Sequence, residues 1–432
     1  MNLYTLCVWL PFLLLLPIIS QFIRSKRGVT RSRPPPSPSR LYIIARMFGS
    51  LLHHSLTQLS KKHGPIILLK LSSVPVLVVS SAEVAREVLK MHDHVFYNRP
   101  VLEGFRKHLY NFKDVALSHY GEYWRQMKKI CVLKLLSAKK VYSFRSVRVQ
   151  EVQNMIKYIS LTSSCVVNLN EKLNLFAHTV ILRIALGTSY EGKEFESGGN
   201  LSELLHGSIA MMGAFFVLSL FPYIDPDRQT GEYEDIADVL IRLEKEQFGE
   251  IRFTKDHIKA ILMVNVYQSE FLLPRLRFTL GSGSSSVILI WSMAELAKNL
   301  RVMKKVQEEV RRCVGKKEKV NENDLDQLHF LKMIMKESLR LHPSASILIP
   351  RECMSHCIIN GSSIIWAIAR DPISWKNPKE FFPERFIDFP IDYKGNNFKF
   401  LPFGVGRRGC PGMSLGVVII ELALANLLYS FN

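Results

Sequence analysis

Residues 401–416 read LPFGVGRRGCPGMSLG, a single cysteine, Cys410, set among five glycines and two arginines. A thiol so placed could be a nucleophile, a zinc ligand or a ligand to a cofactor metal. A nucleophile needs a positioned base and zinc needs three or four ligands at short spacing, and neither stands nearby in the sequence. Downstream, MSLGVVIIELALANLL runs as an apolar helix. This predicts Cys410 at the N-cap and Pro411 at the first helical position, where a missing N–H is tolerated. A helix amino terminus favours negative charge, which would lower the thiol pKa and hold it as thiolate. One thiolate is sufficient as the axial ligand of a haem iron. Gly404, Gly406, Gly409 and Gly412 would let backbone approach a large flat cofactor, and Arg408 or Arg407 could pair with its carboxylates. The plainer alternative is a glycine-rich turn around a buried free cysteine.

A second constellation is Glu337 and Arg340 in KESLRLHP. The E-x-x-R spacing alone says little, because Glu83/Arg86, Glu103/Arg106, Glu122/Arg125, Glu308/Arg311 and Glu309/Arg312 share it. Periodicity separates this pair from the others: Phe330, Ile334, Glu337 and Leu341 fall on one helical face that is otherwise apolar, so the carboxylate needs partners. The alternative is a surface i,i+3 ion pair. Cys353, His356 and Cys357 lie within five residues but have no distant fourth ligand, so ordinary positions are expected for them.

The elements that must carry these residues come from a chain of 432 residues, 47 % hydrophobic and 22 % charged, enough for one large domain with a sizeable core. Seven scattered cysteines show no disulfide framework and fit a reducing compartment. The 57 basic residues outnumber 38 acidic ones, for a formal charge of +19. No acid precedes Glu83, and a second acid-free run spans residues 125–148. Such charge suits an anionic lipid or an acidic protein. Without zinc-finger spacing or an RNP-like aromatic motif, nucleic acid is not expected as a partner.

Residues 3–23 are apolar and uncharged, long enough at about 1.5 Å per residue to cross a hydrocarbon core of about 30 Å. Basic residues follow them where a cleavage site would stand, so a retained anchor is expected, with the rest on the cytoplasmic side. Residues 24–40 form a basic, proline-rich hinge, and 41–432 the main domain. GPIILLKLSSVPVLVVSS predicts a hairpin, and Ser80 with Glu83 a capping box opening a helix. Most of the remainder reads as helix with short strands, giving a mainly α (α+β) domain.

FGVGRRGCPG resembles the haem-binding loop of the cytochromes P-450, the haem-thiolate monooxygenases, whose pattern F-x-x-G-x-R-x-C-x-G is matched by Phe403, Gly406, Arg408, Cys410 and Gly412. FFPERF resembles the family's PERF element and implies that Arg385 joins Glu337 and Arg340 in a network beneath the haem. YWRQMKK resembles its W-x-x-x-R helix, implying that Trp124 and Lys128 face the haem carboxylates, with lysine in place of arginine. Arg351 in the IPRE segment is implied as a further propionate contact. PPPSPSR, VPVLVVSS, DHIKAILM, ILIWSMAELAKN, PRECM and ANLLYSF look closest to the plant microsomal type.

The resemblance has gaps. Where plant members carry A-G-x-D-T-S on the oxygen-activating helix, this chain has an inserted VNVYQSEFLLPRLRFT and then LGSGSSS. Alignment through Trp291 puts Gly283 at the acid and Ser284 at the threonine. Ser284 keeps a hydroxyl for bound dioxygen and Gly283 cannot relay protons. The same glycines and serines also suit a flexible linker, and Pro274 would break or kink a helix there. Residues 221–253 are short for the family's lid helices, a strand is expected to be missing between Asn360 and Trp366, and a final segment is expected beyond Asn432. Such blockwise changes resemble altered splicing.

The implied protein holds haem b, sits in the endoplasmic reticulum membrane by one span, and takes electrons from an NADPH-dependent reductase through the basic stretch 125–148. It would insert one oxygen atom into a small lipophilic plant metabolite of terpenoid or phenylpropanoid type. Three alternatives stand beside it: an inactive relic, a haem-thiolate isomerase, and a non-enzymatic basic binder tethered to a membrane.

Overall fold

The computed structural model describes residues 35–38, 51–71, 74–101, 112–162, 166–186, 273–354, 360–363, 365–388 and 391–432. The chain divides into two compact units, Met1–Pro36 and Ser37–Asn432, and the fold below is that of the second. The expected anchor at 3–23, nearly all of the hinge and the lid region 221–253 lie outside the described residues.

Helix α1 (Leu52–His63) leads into β1 (Ile66–Leu71) and β2 (Val74–Val79), which pair antiparallel from Ile66 opposite Val79 to Leu71 opposite Val74, as the hairpin pattern predicts. The alternation buries Ile67 and Leu69 with Val76 and Val78 on one face, against Leu56 and Leu59 of α1. The helix after β2, α2 (Ala82–Arg86), is capped by Ser81 rather than Ser80, its side chain accepting the Val84 amide, and it widens into a π-helical turn over Glu87–Met91. A strand does form where one was expected to be lost. Two later strands, β3 (Arg351–Glu352) and β4 (Asn360–Ser363), complete a sheet of order β1-β2-β4-β3, with β4 parallel to β2 and antiparallel to β3.

The rest is helical: α3 (Glu122–Ile130), α4 (Ala138–Ser143), α5 (Arg145–Leu161), α6 (Leu169–Leu186), α7 (Leu273–Lys298), α8 (Leu300–Val314), α9 (His329–Leu341), the single turns α10 (Ile365–Ile368) and α11 (Arg385–Asp388), and α12 (Met413–Ser430). Their packing follows from stripes. Val302, Val306, Val310 and Val314 recur every four residues along α8 and are all buried, while Arg301, Lys304, Lys305, Glu308 and Arg312 occupy other faces. Each such valine contributes on the order of 1.5–3 kcal/mol by leaving water. Helix α12 is apolar nearly all round and accordingly sits in the middle of the main core, with α4, α5, α7, α8 and α9 packed around it. It is long and apolar enough to cross a membrane, but two-thirds of it is buried inside the fold, as in a core helix.

Residues 281–286 are not a linker: α7 runs through them. Pro274 lies within α7 as described from Leu273.

Candidate functional site

The cysteine loop lies between the core and the sheet. The Cys410 amide donates to the Phe403 carbonyl at 2.9 Å and the Gly409 amide to Gly406 at 3.0 Å, closing a short 3-10 turn over Gly406–Arg408. Gly404 and Gly406 take φ of +69° and +68°, left-handed values that side chains with a Cβ resist. Phe403 is half-buried, edge-on to Tyr393. Helix α12 begins at Met413 with Gly412 as its N-cap, so Cys410 precedes the helix rather than capping it, because Pro411 and Gly412 form a turn. The helix start still reaches the sulfur through the backbone amides of Gly412 and Met413, which donate to it. The thiol pKa is nonetheless pushed up, not down. Crowding by protein desolvates the sulfur and outweighs those amides and the Lys128 ammonium.

Cations converge on this loop. Lys128 on α3 donates to the Gly409 carbonyl at 2.6 Å. Arg351 on β3 pairs with Asp93 at 2.9 Å and donates to the Val405 carbonyl at 3.0 Å. Arg407 reaches the other oxygen of Asp93 at 3.1 Å. Trp124, buried on α3, donates its indole N–H to the Val115 carbonyl at 3.0 Å. Arg408 lies over that indole, 4.2 Å from guanidinium carbon to ring centre, and its Nε donates to the Tyr97 carbonyl at 2.9 Å. Its Nη1 and Nη2 are buried with no hydrogen-bond partner among the described residues. Burial, then repulsion from Arg351, pulls the Arg408 pKa down to about 10.

Sequence reasoning missed Arg99, Asp93 and Asp114. Arg99 is buried, donates to the carbonyls of Ala116, Ile349 and Pro350, and has its pKa held well below the arginine range by burial first and then by Arg408 and Arg351. Asp114 accepts the amides of Ala116 and Leu117. Arg99, Arg351, Arg407, Arg408 and Lys128 thus outnumber the two carboxylates within their reach, an imbalance that suits a ligand carrying acid groups. Two unpartnered guanidinium nitrogens call for an acid and a soft sulfur calls for a metal. Haem supplies both, so the donor set fits it.

Glu337, Arg340 and Arg385 form a separate cluster. Arg340 grips Glu337 with two bonds of 2.8 Å, both side chains fully buried, and donates to the carbonyls of Ala369, Pro378 and Glu380. Arg385 adds bonds of 3.0 and 3.1 Å, and the Phe382 amide a fourth donor to the carboxylate. The same E-x-x-R spacing at Glu122 and Arg125 gives only an exposed i,i+3 pair on α3, while Glu309 instead accepts the amides of Phe330 and Leu331 at the start of α9. Ser284 is exposed on α7 beside buried Gly283, whose carbonyl accepts from Ser286. The next residue, Ser285, packs against Gly416 of α12, so α7 runs close to the helix that follows the cysteine.

The basic run 125–148 is not one continuous surface. Arg148 is buried and doubly bonded to Glu322, Arg125 pairs with Glu122, and Lys128 is spent on Gly409. Lys129, Lys134, Lys139 and Lys140 remain exposed. Cys353 is buried, while His356 and Cys357 lie outside the described residues, and among those described no cluster could hold a bare metal ion.

Comparison with known proteins gives one answer. The pattern of the family described as Cytochrome P450 matches residues 34–432. Cytochrome P450 71A1 of Persea americana is 42 % identical over 431 residues, covering 89 % of this chain and 83 % of the relative. Cytochrome P450 71B37 of Arabidopsis thaliana is 39 % identical over 472 residues, covering 98 % and 92 %. A solved zebrafish cytochrome P450 structure with progesterone shares the fold, with a TM-score of 0.67 at 23 % identity over 89 % of this chain and 93 % of that one. A mainly helical domain with a small sheet, a thiol loop and a match over nearly its whole length place the chain in the cytochrome P450 family of haem-thiolate monooxygenases.

Proposed function

We propose that the chain is a membrane-anchored oxygenase of small lipophilic plant metabolites, of terpenoid or phenylpropanoid type, supplied with electrons by an NADPH-dependent reductase. The observation that carries the reading is the pairing of Cys410, whose sulfur accepts two helix-start amides, with Arg408, whose two buried terminal nitrogens have no protein acceptor among the described residues. Haem b, when bound, supplies the iron at which dioxygen is split, one atom going to substrate and the other leaving as water.

The chain's own residues have distinct tasks. Cys410 ligates the iron, and the Gly412 and Met413 amides steady its negative charge. Arg408 would take a haem carboxylate, and the Trp124 indole, 4.2 Å from the guanidinium carbon, holds that side chain by a cation–π contact. Phe403, Gly406 and Gly412 shape the loop. Lys128 and Arg351 act through the loop carbonyls at Gly409 and Val405, and their charge adds to the field felt by the carboxylates. Ser284 would offer its hydroxyl to dioxygen, while Gly283 offers no side-chain proton carrier. Glu337, Arg340 and Arg385 hold the framework that α9 presents to the core.

Residues 3–23 supply the span and place the domain on the cytosolic face of the endoplasmic reticulum. Exposed Lys129, Lys134, Lys139 and Lys140 face the acidic surface of the reductase. Relatives from Persea americana and Arabidopsis thaliana support a plant substrate.

The test is isotopic. Yeast microsomes carrying the full chain and a plant reductase are given a terpenoid and phenylpropanoid panel under 18O-labelled dioxygen. Product heavier by one labelled oxygen, dependent on NADPH, is expected. Product formed without dioxygen would instead make the chain an isomerase, the outcome that Gly283 in place of an acid would favour.

A further inference from the structure

Two helices that carry different parts of the site are tied at one place. Trp291 and Glu295 belong to α7, and His342 is the residue at which α9 ends. The His342 imidazole lies flat on the Trp291 indole, with ring centres 3.9 Å apart and planes 3° from parallel. Its Nε2 is 2.8 Å from Glu295 Oε1. A carboxylate oxygen accepts, so Nε2 carries the hydrogen and donates. Burial holds the imidazole pKa below its ordinary value, against the pull of Glu295 and with the help of Arg370 and Lys298. Beside this pair, Ser292 Oγ and Ser338 Oγ stand 2.9 Å apart, both fully buried. Residues 291, 292 and 295 of α7 are in this way joined to residues 338 and 342, one turn against one turn.

What this contact fixes is rotation. At 3.6 residues per turn, Trp291 lies about 20° short of two turns beyond Ser284 and Glu295 about 20° past three, so the three share one stripe of α7. The exposure pattern agrees. Between 283 and 296, Ser284 and Trp291 are the exposed residues, while Ser285, Ser286, Ile288, Leu289, Ser292 and Leu296 are buried. No glycine or proline interrupts residues 284–295, so the helix is stiff there and a twist allowed at 291–295 reaches 284. A twist of about 20° swings a side-chain hydroxyl by about 1 Å. A misplacement of that size, caused far from the chemistry, can cost on the order of 100-fold in rate. Gly283 supplies no carboxylate beside Ser284, so the direction of that one hydroxyl matters the more.

Resting on the proposed role of Ser284, we propose that His342 is a positioning residue for the oxygen side: by gripping Trp291 and Glu295 it sets the rotation of α7 and thereby the direction of the Ser284 hydroxyl. It acts through the helix and takes no part in the chemistry itself. The same α9 carries Glu337 and Arg340, so one helix serves the buried ion cluster along its length and the oxygen side at its end.

The experiment uses the purified full chain in detergent, read in two ways. A trifluoromethyl label on Ser284→Cys gives a 19F resonance, taken by difference from the same protein without that cysteine. Product and hydrogen peroxide formed per NADPH are measured with Ser284 intact. His342→Ala should move or split the resonance, cut product formation about tenfold or more with KM little changed, and raise peroxide per NADPH. His342→Gln keeps an N–H donor near the Nε2 position and should recover much of both. Val310→Ala opens a cavity under the α8 stripe; it should lower the thermal midpoint yet leave the resonance and the peroxide ratio at wild type. A merely structural histidine would behave like Val310. If His342→Ala does not fold, His342→Phe, which keeps a ring on Trp291 but has no donor, takes its place with the same expectation. A wild-type resonance and peroxide ratio in the folded variant that lacks the donor would overturn the assignment, as would equal changes in Val310→Ala. If the label moves but Ser284→Ala leaves the peroxide ratio unchanged, the proposed role of Ser284 fails instead, because α7 has then turned without consequence.

Discussion

Lys128 Nζ donates to the Gly409 carbonyl oxygen at 2.6 Å, tying α3 to the residue directly before Cys410 across 281 positions of sequence. Burial lowers the ammonium pKa, and the Cys410 and Cys131 sulfurs oppose that shift. The bond holds the loop from the side on which Trp124 and Arg408 stack. Lys128→Met removes a charged donor and leaves a carbonyl without it, at a cost of about 1.5–3 kcal/mol. The thermal midpoint of the purified full chain should fall accordingly, while Lys128→Arg, which keeps a cation within reach, should fall less.

Glu337 is the most heavily committed carboxylate in the described fold, fully buried with two arginines and an amide on it. Glu337→Gln leaves Arg340 and Arg385 short of a counter-charge, and breaking a buried pair in this way costs about 3–5 kcal/mol. Urea unfolding followed by tryptophan fluorescence should show that loss. Glu122→Gln, at the exposed copy of the same spacing, should leave the unfolding midpoint where it was, because water and salt screen that pair.

Glu421 sits buried within α12, and desolvation raises its pKa from 4.5 to about 7 against the pull of Lys332 and Lys336. The sign follows from the two states. Below pH 4.5 the carboxyl is protonated folded and unfolded and costs nothing. Between 4.5 and 7 only the unfolded chain ionises, so stability drains away as pH rises, by roughly 3 kcal/mol once the folded pKa is passed. Glu421→Gln abolishes this dependence. Urea midpoints of variant and wild type should coincide near pH 4.5 and separate towards pH 8, the variant being the more stable. Parallel curves across that range would contradict the account.

How far the sequence foretold this site depends on where each partner comes from. Glu337 was found because a carboxylate on an apolar helical face has to be paired, and FFPERF lies close enough in pattern to name Arg385. The hairpin and α9 followed from periodicity for the same local reason. The sequence predicts Cys410 at the N-cap because Pro411 suits a first helical position; Pro411 and Gly412 instead form a separate turn, and desolvation outweighs the helix-start amides at the thiol. Residues 281–286 carry the composition of a linker, yet packing against α12 and α6 keeps them helical, a tertiary effect that local propensity does not contain. Asp93 and Arg99 gave no signal because their partners lie about 250 residues away, and no local spacing announces such a contact.

The account stands on Cys410 as the ligand of a haem iron. Its most direct test is the carbon monoxide difference spectrum of dithionite-reduced microsomes carrying wild type and Cys410→Ser at matched protein levels. The strongly red-shifted band of a thiolate-ligated haem should appear in the wild type and be absent in the variant. A wild type without that band, or a band that survives in Cys410→Ser, would contradict it.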